Sequence, residues 1–129
     1  MDIEKFTERA KGFLQAASTI AIRDFHQQLT PEHLLKALLD DEEGAASGLI
    51  KAAGGDSIAA RSATEIALTK VPKVQGGGAG TPQPTVALVR LLDAAEQAAE
   101  KAGDQYVAQD RLLIALAAGD GPAANALRQ

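Results

Sequence analysis

The chain has 129 residues, of which 46% are hydrophobic and 3% aromatic, and its formal net charge is −4. This length suits one domain with one core, which the composition would build from Leu, Ile, Val and Ala. The negative charge disfavours nucleic acid and anionic membranes as partners, and the absence of cysteine excludes disulfides and thiolate metal sites.

The first predicted helix runs from about Asp2 to Ile22. Its apolar residues recur at spacings of three, four and seven, which places them along one face of a helix. These residues are Ile3, Phe6, Ala10, Phe13, Leu14, Ala17 and Ala21.

Three further helices are predicted in the first half. The second starts at Thr30-Pro31, because threonine can cap a free amide and proline loses no hydrogen bond in the first turn; it ends at the acidic run 40–43 and Gly44. The third covers residues 46–53, and Asp56 caps the fourth. The spacing of residues in the fourth helix predicts an inner side made of Ile58, Ser62, Ile66 and Thr69.

Residues 71–84 hold four Gly and three Pro, which predicts a connector without a helix. A second long helix follows from Leu88 to Ala102, and Gly103 ends it. The next helix is predicted over Gln109–Ala118, and another starts at Pro122. The chain ends where a counterpart of the fourth helix is expected, so the second half is predicted to be cut short, as in a fragment of a longer protein.

The second half repeats the first at an offset of 78 residues: Leu34-Leu35-Lys36-Ala37-Leu38 returns as Leu112-Leu113-Ile114-Ala115-Leu116. Of the 42 pairs between residues 10–51 and 88–129, 12 are identical, and six of these are Ala on Ala. Leucines kept in phase predict one helical unit built twice, each copy burying its apolar face on the other. We therefore predict an all-α, pseudo-twofold domain of two four-helix units over residues 1–129. Repeat one is 1–70, the connector is 71–84, and repeat two is 85–129, incomplete at its last helix.

No pattern indicates catalysis. The glycine-rich segment 76–81 lacks the lysine and the following helix of a phosphate-binding loop. His26 and His33 have no second His or Cys at metal-ligand spacing. His33 is predicted to have a structural role at a helix terminus or interface, and His26 to be solvated in a loop. We predict that this chain is not an enzyme and has no metal site and no cofactor.

No targeting or membrane-spanning segment is recognised. The first residues lack the basic start and apolar run of a secretion signal. The longest uncharged apolar segment, residues 112–118, is far too short to cross a bilayer. We therefore expect a cytoplasmic protein.

Four segments carry a family resemblance: KFTERA at residues 5–10, LTPEHLLKALL at 29–39, VPKVQG at 71–76 and GDQYV at 103–107. Together they resemble the amino-terminal Clp repeat domain of ClpB-type disaggregases, and the resemblance covers the whole chain. The Glu-His-Leu-Leu block is shared with the related protease-linked Clp ATPases. The last two segments look more like ClpB.

The resemblance implies an all-helical domain on a flexible tether above a hexameric ring of ATPase modules, which use ATP and Mg in the parent protein. Such a domain would recruit unfolded or aggregated polypeptide in the stress response and pass it to the ring of its own full-length chain. A DnaK-type chaperone system would be a partner of the parent, and the isolated domain is expected to be a monomer. The alternative is a domain that docks folded adaptor proteins for a Clp protease-associated ATPase.

The resemblance also implies three substrate-binding residues, Thr7, Asp104 and Asp110. Each also fits a local structural role, since threonine and aspartate are common in first turns, loops and helix starts. The counterparts of the two acids in the first copy are His26 and Glu32, so the copies differ in charge there. An aliphatic groove between the long helices and the sixth is expected to hold apolar client segments weakly, with rim carboxylates that discourage acidic ones.

Overall fold

The computed structural model describes residues 3–41, 45–73, 82–119 and 121–128. Within these ranges two two-residue strands, β1 (Gln28–Leu29) and β2 (Gln83–Pro84), pair in parallel. The remaining elements are a 3-10 helix (Ile3–Lys5) and seven α-helices: α1 (Glu8–Arg23), α2 (Pro31–Asp40), α3 (Ala45–Ala52), α4 (Ser57–Leu68), α5 (Val86–Lys101), α6 (Gln109–Ala118) and α7 (Pro122–Arg128). The all-α prediction is confirmed, although the sequence did not predict the two short strands.

Some predictions fall on residues that the structure does not describe. The predicted helix start at Asp2, the end signals Glu42–Gly44 and the glycine-rich segment 76–81 lie outside the described residues. The boundaries of the two repeats and of the connector stay predictions.

The first α-helix starts at Glu8, not near Asp2 as predicted. Thr7 is its N-cap: its backbone is extended, and its side-chain oxygen accepts a hydrogen bond from the Ala10 amide at 3.1 Å. Phe6, just before the cap, forms a parallel bridge with Val107 in the second half of the chain. This long-range pairing keeps residue 6 extended, although its spacing to later apolar residues also fits a helix.

The helices keep the 78-residue offset of the sequence. Under this offset α1 and α5 correspond from end to end, as do α2 and α6. Thr7 and its counterpart Thr85 cap their helices in the same way, each by accepting from the amide three residues later at 3.1 Å. The correspondence therefore begins before residue 10, where the sequence alignment starts.

Each half supplies a short extended segment that pairs with the other half. The Thr7 amide donates to the Val107 carbonyl at 3.0 Å, and the Thr85 amide donates to the Leu29 carbonyl at 3.0 Å. These bonds are counterparts, because Thr85 and Val107 lie 78 residues after Thr7 and Leu29. The two halves are thus joined by a reciprocal exchange of backbone pairs.

The core is made of leucines and alanines from both halves. α1 packs against α2, α5 packs against α6, and α2 also contacts α6 across the two halves. The leucines that the copies share on α2 and α6 are all buried: Leu34, Leu35, Leu38, Leu112, Leu113 and Leu116. The repeated leucines are therefore the residues that bury the two copies on each other.

The fourth helix buries a different face from the predicted one. Ile58 and Ile66 are 78% and 60% exposed, and Ser62 and Thr69 are exposed as well. The buried residues are Ala60, Thr64 and Leu68, on the side where α4 packs against α2 and α7. The predicted and the observed buried residues both recur at helical spacing, so the spacing alone does not predict which set is buried. The side with the small residues allows the helices to approach more closely.

α1 and α5 end in the same left-handed turn. The φ angle is +61° at Phe25 and +80° at its counterpart Gly103. In each turn the amide of the next residue bonds to the carbonyl five residues earlier, at 2.8 Å after α1 and 2.9 Å after α5. Glycine adopts this backbone freely, whereas a side chain with a Cβ is strained there.

Gly103→Ala is expected to lower the free energy of unfolding by about 1 kcal/mol. A Cβ at residue 103 would meet no atom within 4 Å, so the cost comes from the left-handed backbone alone. Gly12→Ala is the matched control, because residue 12 lies inside α1 and its added Cβ also meets nothing within 4 Å. This control should raise the stability by about 0.5 to 1 kcal/mol in urea unfolding. If the free energy of unfolding changed in the same direction in both variants, the cost of Gly103→Ala could not be assigned to the left-handed backbone.

Candidate functional site

An apolar groove of about 410 Å³ lies between α5, α6 and α7. Seven of its lining residues are alanines, whose small side chains leave the space open. Leu91 and Ile114 supply larger apolar surface, and Ile114 is 55% exposed. A groove of this size can accept a few apolar side chains of a ligand.

The corresponding place in the first half is filled. Phe13, the counterpart of a groove leucine, is buried, and the Arg9 guanidinium carbon lies 5.6 Å from the centre of its ring. Arg9 also forms an ion pair with Asp41 at 2.7 Å. The counterparts of Arg9 and Asp41 are Ala87 and Gly119, and both line the groove. Smaller residues at these three positions therefore open the groove in the second half.

Among the described residues, the charged side chains that line the groove are two arginines. Arg90 is exposed on α5 and forms no ion pair with any described residue, whereas Arg111, in the first turn of α6, pairs with Asp104 at 3.2 Å. No carboxylate from the described part of the chain lines the groove. The expected carboxylates therefore do not line this groove, and their effect on acidic segments stays a prediction.

Two of the three predicted site residues, Asp104 and Asp110, lie beside the groove at the start of α6, next to Arg111. The Oδ2 atom of Asp104 accepts a hydrogen bond from Nε of Arg111 at 3.2 Å, and Oδ1 of Asp110 accepts from the Arg111 amide at 2.9 Å. Thr7, which is half-buried, joins the same region through its backbone bond to Val107. None of the three lines the groove, and Asp104 borders a smaller neighbouring depression of about 210 Å³. Asp104 therefore contacts the side chain of a groove residue, whereas Asp110 contacts only the backbone amide of that residue.

Reasoning from the sequence missed Leu91, Arg111 and Ile114 as groove residues. The signal that could have found them is the difference between the two copies. Ile114 replaces Lys36 of the first copy, and an apolar residue on an exposed helical position needs an explanation. A comparison of each residue with its counterpart 78 positions earlier, for loss of charge or of side-chain volume, would have indicated the helix face that carries Ile114.

His26 and His33 form a buried pair in the first half. His26 is 3% exposed, and its Nδ1 lies 2.8 Å from Nε2 of His33. Nδ1 of His33 accepts a hydrogen bond from the Thr30 amide at 2.9 Å, which completes a capping box at the start of α2. The predicted helix-terminus role of His33 is thus confirmed. The prediction of a solvated His26 is wrong, because the left-handed turn at Phe25 places the next residue against α2.

Both imidazoles are held neutral by their surroundings. The pKa of His33 is lowered from 6.5 to about 4, chiefly by burial and also by the proximity of His26, while Asp24 opposes both effects. Burial also lowers the pKa of His26; Asp24 opposes this, and Lys73 adds to it. Since the Thr30 amide occupies Nδ1 of His33, we assign the His33 proton to Nε2, which donates to Nδ1 of His26.

The described residues contain no group of three or more His, Asp or Glu side chains that could hold a metal ion. Among the helices in the same described ranges, none is both long enough and apolar enough to traverse a bilayer.

A family model described as the Clp repeat (R) N-terminal domain matches residues 5–129. The chaperone protein ClpB of Rhodopseudomonas palustris is 57% identical over 116 residues, which cover 90% of this chain and 13% of that protein. The chain therefore spans only a small part of the length of this curated relative.

Solved structures share the fold. The Hsp104 N-terminal domain from Candida albicans is 25% identical, with a TM-score of 0.83 over 96% of this chain and 80% of that chain. A ClpV N-domain in complex with a VipB peptide is 23% identical, with a TM-score of 0.71 over 88% of this chain and 68% of that chain. Because the family model covers almost the whole chain and a ClpB relative is 57% identical over 90% of it, the chain belongs to the Clp repeat N-terminal domain family, in the form that ClpB chaperones carry.

Proposed function

We propose that this chain is the substrate-recruiting amino-terminal domain of an ATP-dependent ClpB-type disaggregase. The observation that carries the proposal is the open apolar groove between α5, α6 and α7, in a chain of this family. Short apolar segments of unfolded or aggregated polypeptide would bind there and pass to the ATPase ring of the parent protein. A ClpV N-domain of the same fold is known in complex with a peptide, which supports peptide binding by such a domain.

Binding in this groove should be weak. A groove of about 410 Å³ covers only a few side chains, and their burial must offset the entropy lost when a disordered segment is ordered. Weak binding suits recruitment, because the segment must be released to the ring. Several domains on one ring would raise the overall avidity.

Thr7, Asp104 and Asp110 remain proposed substrate-handling residues. Two of them contact Arg111, so they would act at the end of the groove where α6 begins. The alternative role, docking of folded adaptors for a Clp protease-associated ATPase, has less support because the curated relative reported above is a ClpB.

Ile114→Lys is expected to weaken binding of an unfolded protein at least tenfold. The change places in the groove the residue that the first copy has at the same position, Lys36, and removes apolar surface that binding would bury. The measurement is a titration of the ¹⁵N-labelled chain with reduced, carboxymethylated α-lactalbumin, followed by amide shifts.

Ile58→Lys is the matched control, since Ile58 is 78% exposed on α4 and does not line the groove. The control should bind like the parent chain, and the shifts should cluster on α5, α6 and α7. Shifts scattered over the surface, or equal binding by both lysine variants, would refute the groove as the binding site.

A further inference from the structure

The two arginines of the groove occupy positions that are uncharged or weakly basic in the first copy. The counterparts of Arg90 and Arg111 are Gly12 and His33, and the His33 ring is buried and neutral. The second half therefore places two arginines on one apolar groove, of which Arg111 is paired with Asp104 and Arg90 forms no ion pair with a described residue.

The arginines mark opposite ends of the groove. Arg90 lies in the second turn of α5, whereas Arg111 pairs with Asp104, which follows the end of α5 at Lys101. At a rise of about 1.5 Å per residue, the two positions are separated by roughly 15 Å along the helix axis. An extended peptide covers that distance with about four or five residues.

Both guanidinium groups keep donors free for a ligand. One oxygen of Asp104 accepts a hydrogen bond from Nε of Arg111 and lies 3.2 Å from Nη2, which leaves other N–H groups of that side chain unused by the pair. Arg90 forms no ion pair with any residue in the described ranges. Guanidinium donors of this kind bind carboxylates well, because the planar fork matches the two carboxylate oxygens.

We propose that the groove selects apolar segments flanked by acidic residues, with Arg90 binding one flanking carboxylate and Arg111 the other. The inference rests on the proposed peptide-binding function and specifies its substrate class. An apolar centre of four or five residues would lie on the alanines, Leu91 and Ile114, while one carboxylate pairs with Arg90 and the other binds the Arg111 donors that Asp104 leaves unused. A client with basic flanks would instead meet like charge at both ends.

Three peptides test the selection. They share a central Leu-Val-Ala-Leu run and differ only in the flanking pairs, which are Glu, Gln or Lys. We expect the Glu-flanked peptide to bind five- to tenfold more tightly than the Lys-flanked one in fluorescence anisotropy at 50 mM salt, with Gln between them. The difference should shrink at 0.5 M salt, where exposed charges are screened.

The double variant Arg90→Gln/Arg111→Gln should bring the Glu-to-Lys affinity ratio close to one. Arg23→Gln is the matched control, because Arg23 is an exposed arginine at the end of α1 outside the groove, and the ratio should persist in it. Retention of the ratio in the double variant would overturn the selection by these arginines.

The outcomes separate this inference from the function on which it rests. If all three peptides shift the α5, α6 and α7 amides with equal affinity, the charge selection is wrong and the groove remains the binding site. If none of them shifts these amides, the proposed function itself fails. If the same amides shift with chain concentration in the absence of peptide, a second copy occupies the groove, and the proposal is also overturned.

Discussion

Lowering the pH from 7 to 5 is expected to cost the domain about 2 kcal/mol of stability through His33 alone. The pKa of this imidazole is about 4 in the folded chain and 6.5 when it is exposed, because the folded ring is buried beside a second imidazole. Below pH 6.5 the unfolded chain therefore binds a proton that the folded chain does not bind. The contribution of His33 to the free energy of unfolding is fully present above pH 6.5 and is lost as the pH is lowered towards 4.

The geometry explains why protonation is unfavourable. A proton on Nδ1 of His33 would face the Thr30 amide, which donates to that atom at 2.9 Å. The pKa of His26 is also lowered by burial, so His26 adds to the loss in the same direction. Asp24, which favours the charged forms, reduces the effect, and Lys73 opposes protonation of His26.

His33→Gln isolates the contribution of this residue. Glutamine at the third helical position can still accept from the N-cap amide, so the capping box of α2 is preserved without a titrating group. Urea unfolding of both chains at pH 7, 6 and 5 measures the difference. Between pH 7 and pH 5 the parent should lose about 2 kcal/mol more stability than the variant, because only the parent loses the His33 term. Parallel pH profiles would contradict the prediction, since the two chains differ only at residue 33.

Phe6→Ala is expected to lower the free energy of unfolding by about 3 to 5 kcal/mol. The ring is 1% exposed and belongs to the main core, and its backbone pairs with Val107 of the other half. Truncation would leave a cavity in the region where the two halves meet. A loss of this size is a large fraction of the stability of an ordinary domain.

Phe25→Ala removes the same atoms from a ring that is 52% exposed, so it serves as the control. Alanine also keeps the strain of the left-handed backbone at this position, and the two variants therefore differ mainly in burial. Thermal and urea unfolding should show a much smaller loss for the control. Equal losses in the two variants would show that the pairing region contributes no more than the surface.

Local signals predicted the elements that depend on nearby residues. Thr30-Pro31 and Asp56 start α2 and α4 as expected, and α6 has the predicted bounds, Gln109–Ala118. In each case the cap or the apolar spacing acts within one or two turns. Such short-range interactions can be recognised in a single sequence.

The errors concern residues whose environment is set by the other half or by another helix. Phe6 fits a helical spacing but is held extended by Val107, and His26 looks like a loop residue but is buried against α2. The inner side of α4 depended on which of two helical faces could approach α2 and α7. The spacing of apolar residues does not show which face of a helix is buried or which residues are held by the other half, because the spacing is the same in each case.

The candidate site was predicted in outline and not in its chemistry. An aliphatic groove between the long helices and the sixth was expected, whereas the structure has one between α5, α6 and α7, with no lining residue from α1. The described charged residues that line it are arginines, because Asp104 pairs with the Arg111 side chain beside the groove and Asp110 accepts from the Arg111 backbone amide. Which member of an ion pair faces a ligand depends on side-chain geometry that the sequence does not specify.

The reciprocal pairing between the halves has a consequence for cooperativity. The Thr7 amide bonds to the Val107 carbonyl, and the Thr85 amide bonds to the Leu29 carbonyl. Unfolding of either half therefore removes a backbone hydrogen-bond partner from the other half. The domain should therefore unfold as a single unit in which neither copy is an independent folding module. Because each half stabilises the other, the stability of the second half does not depend on its own packing alone. The second half can therefore keep an open groove.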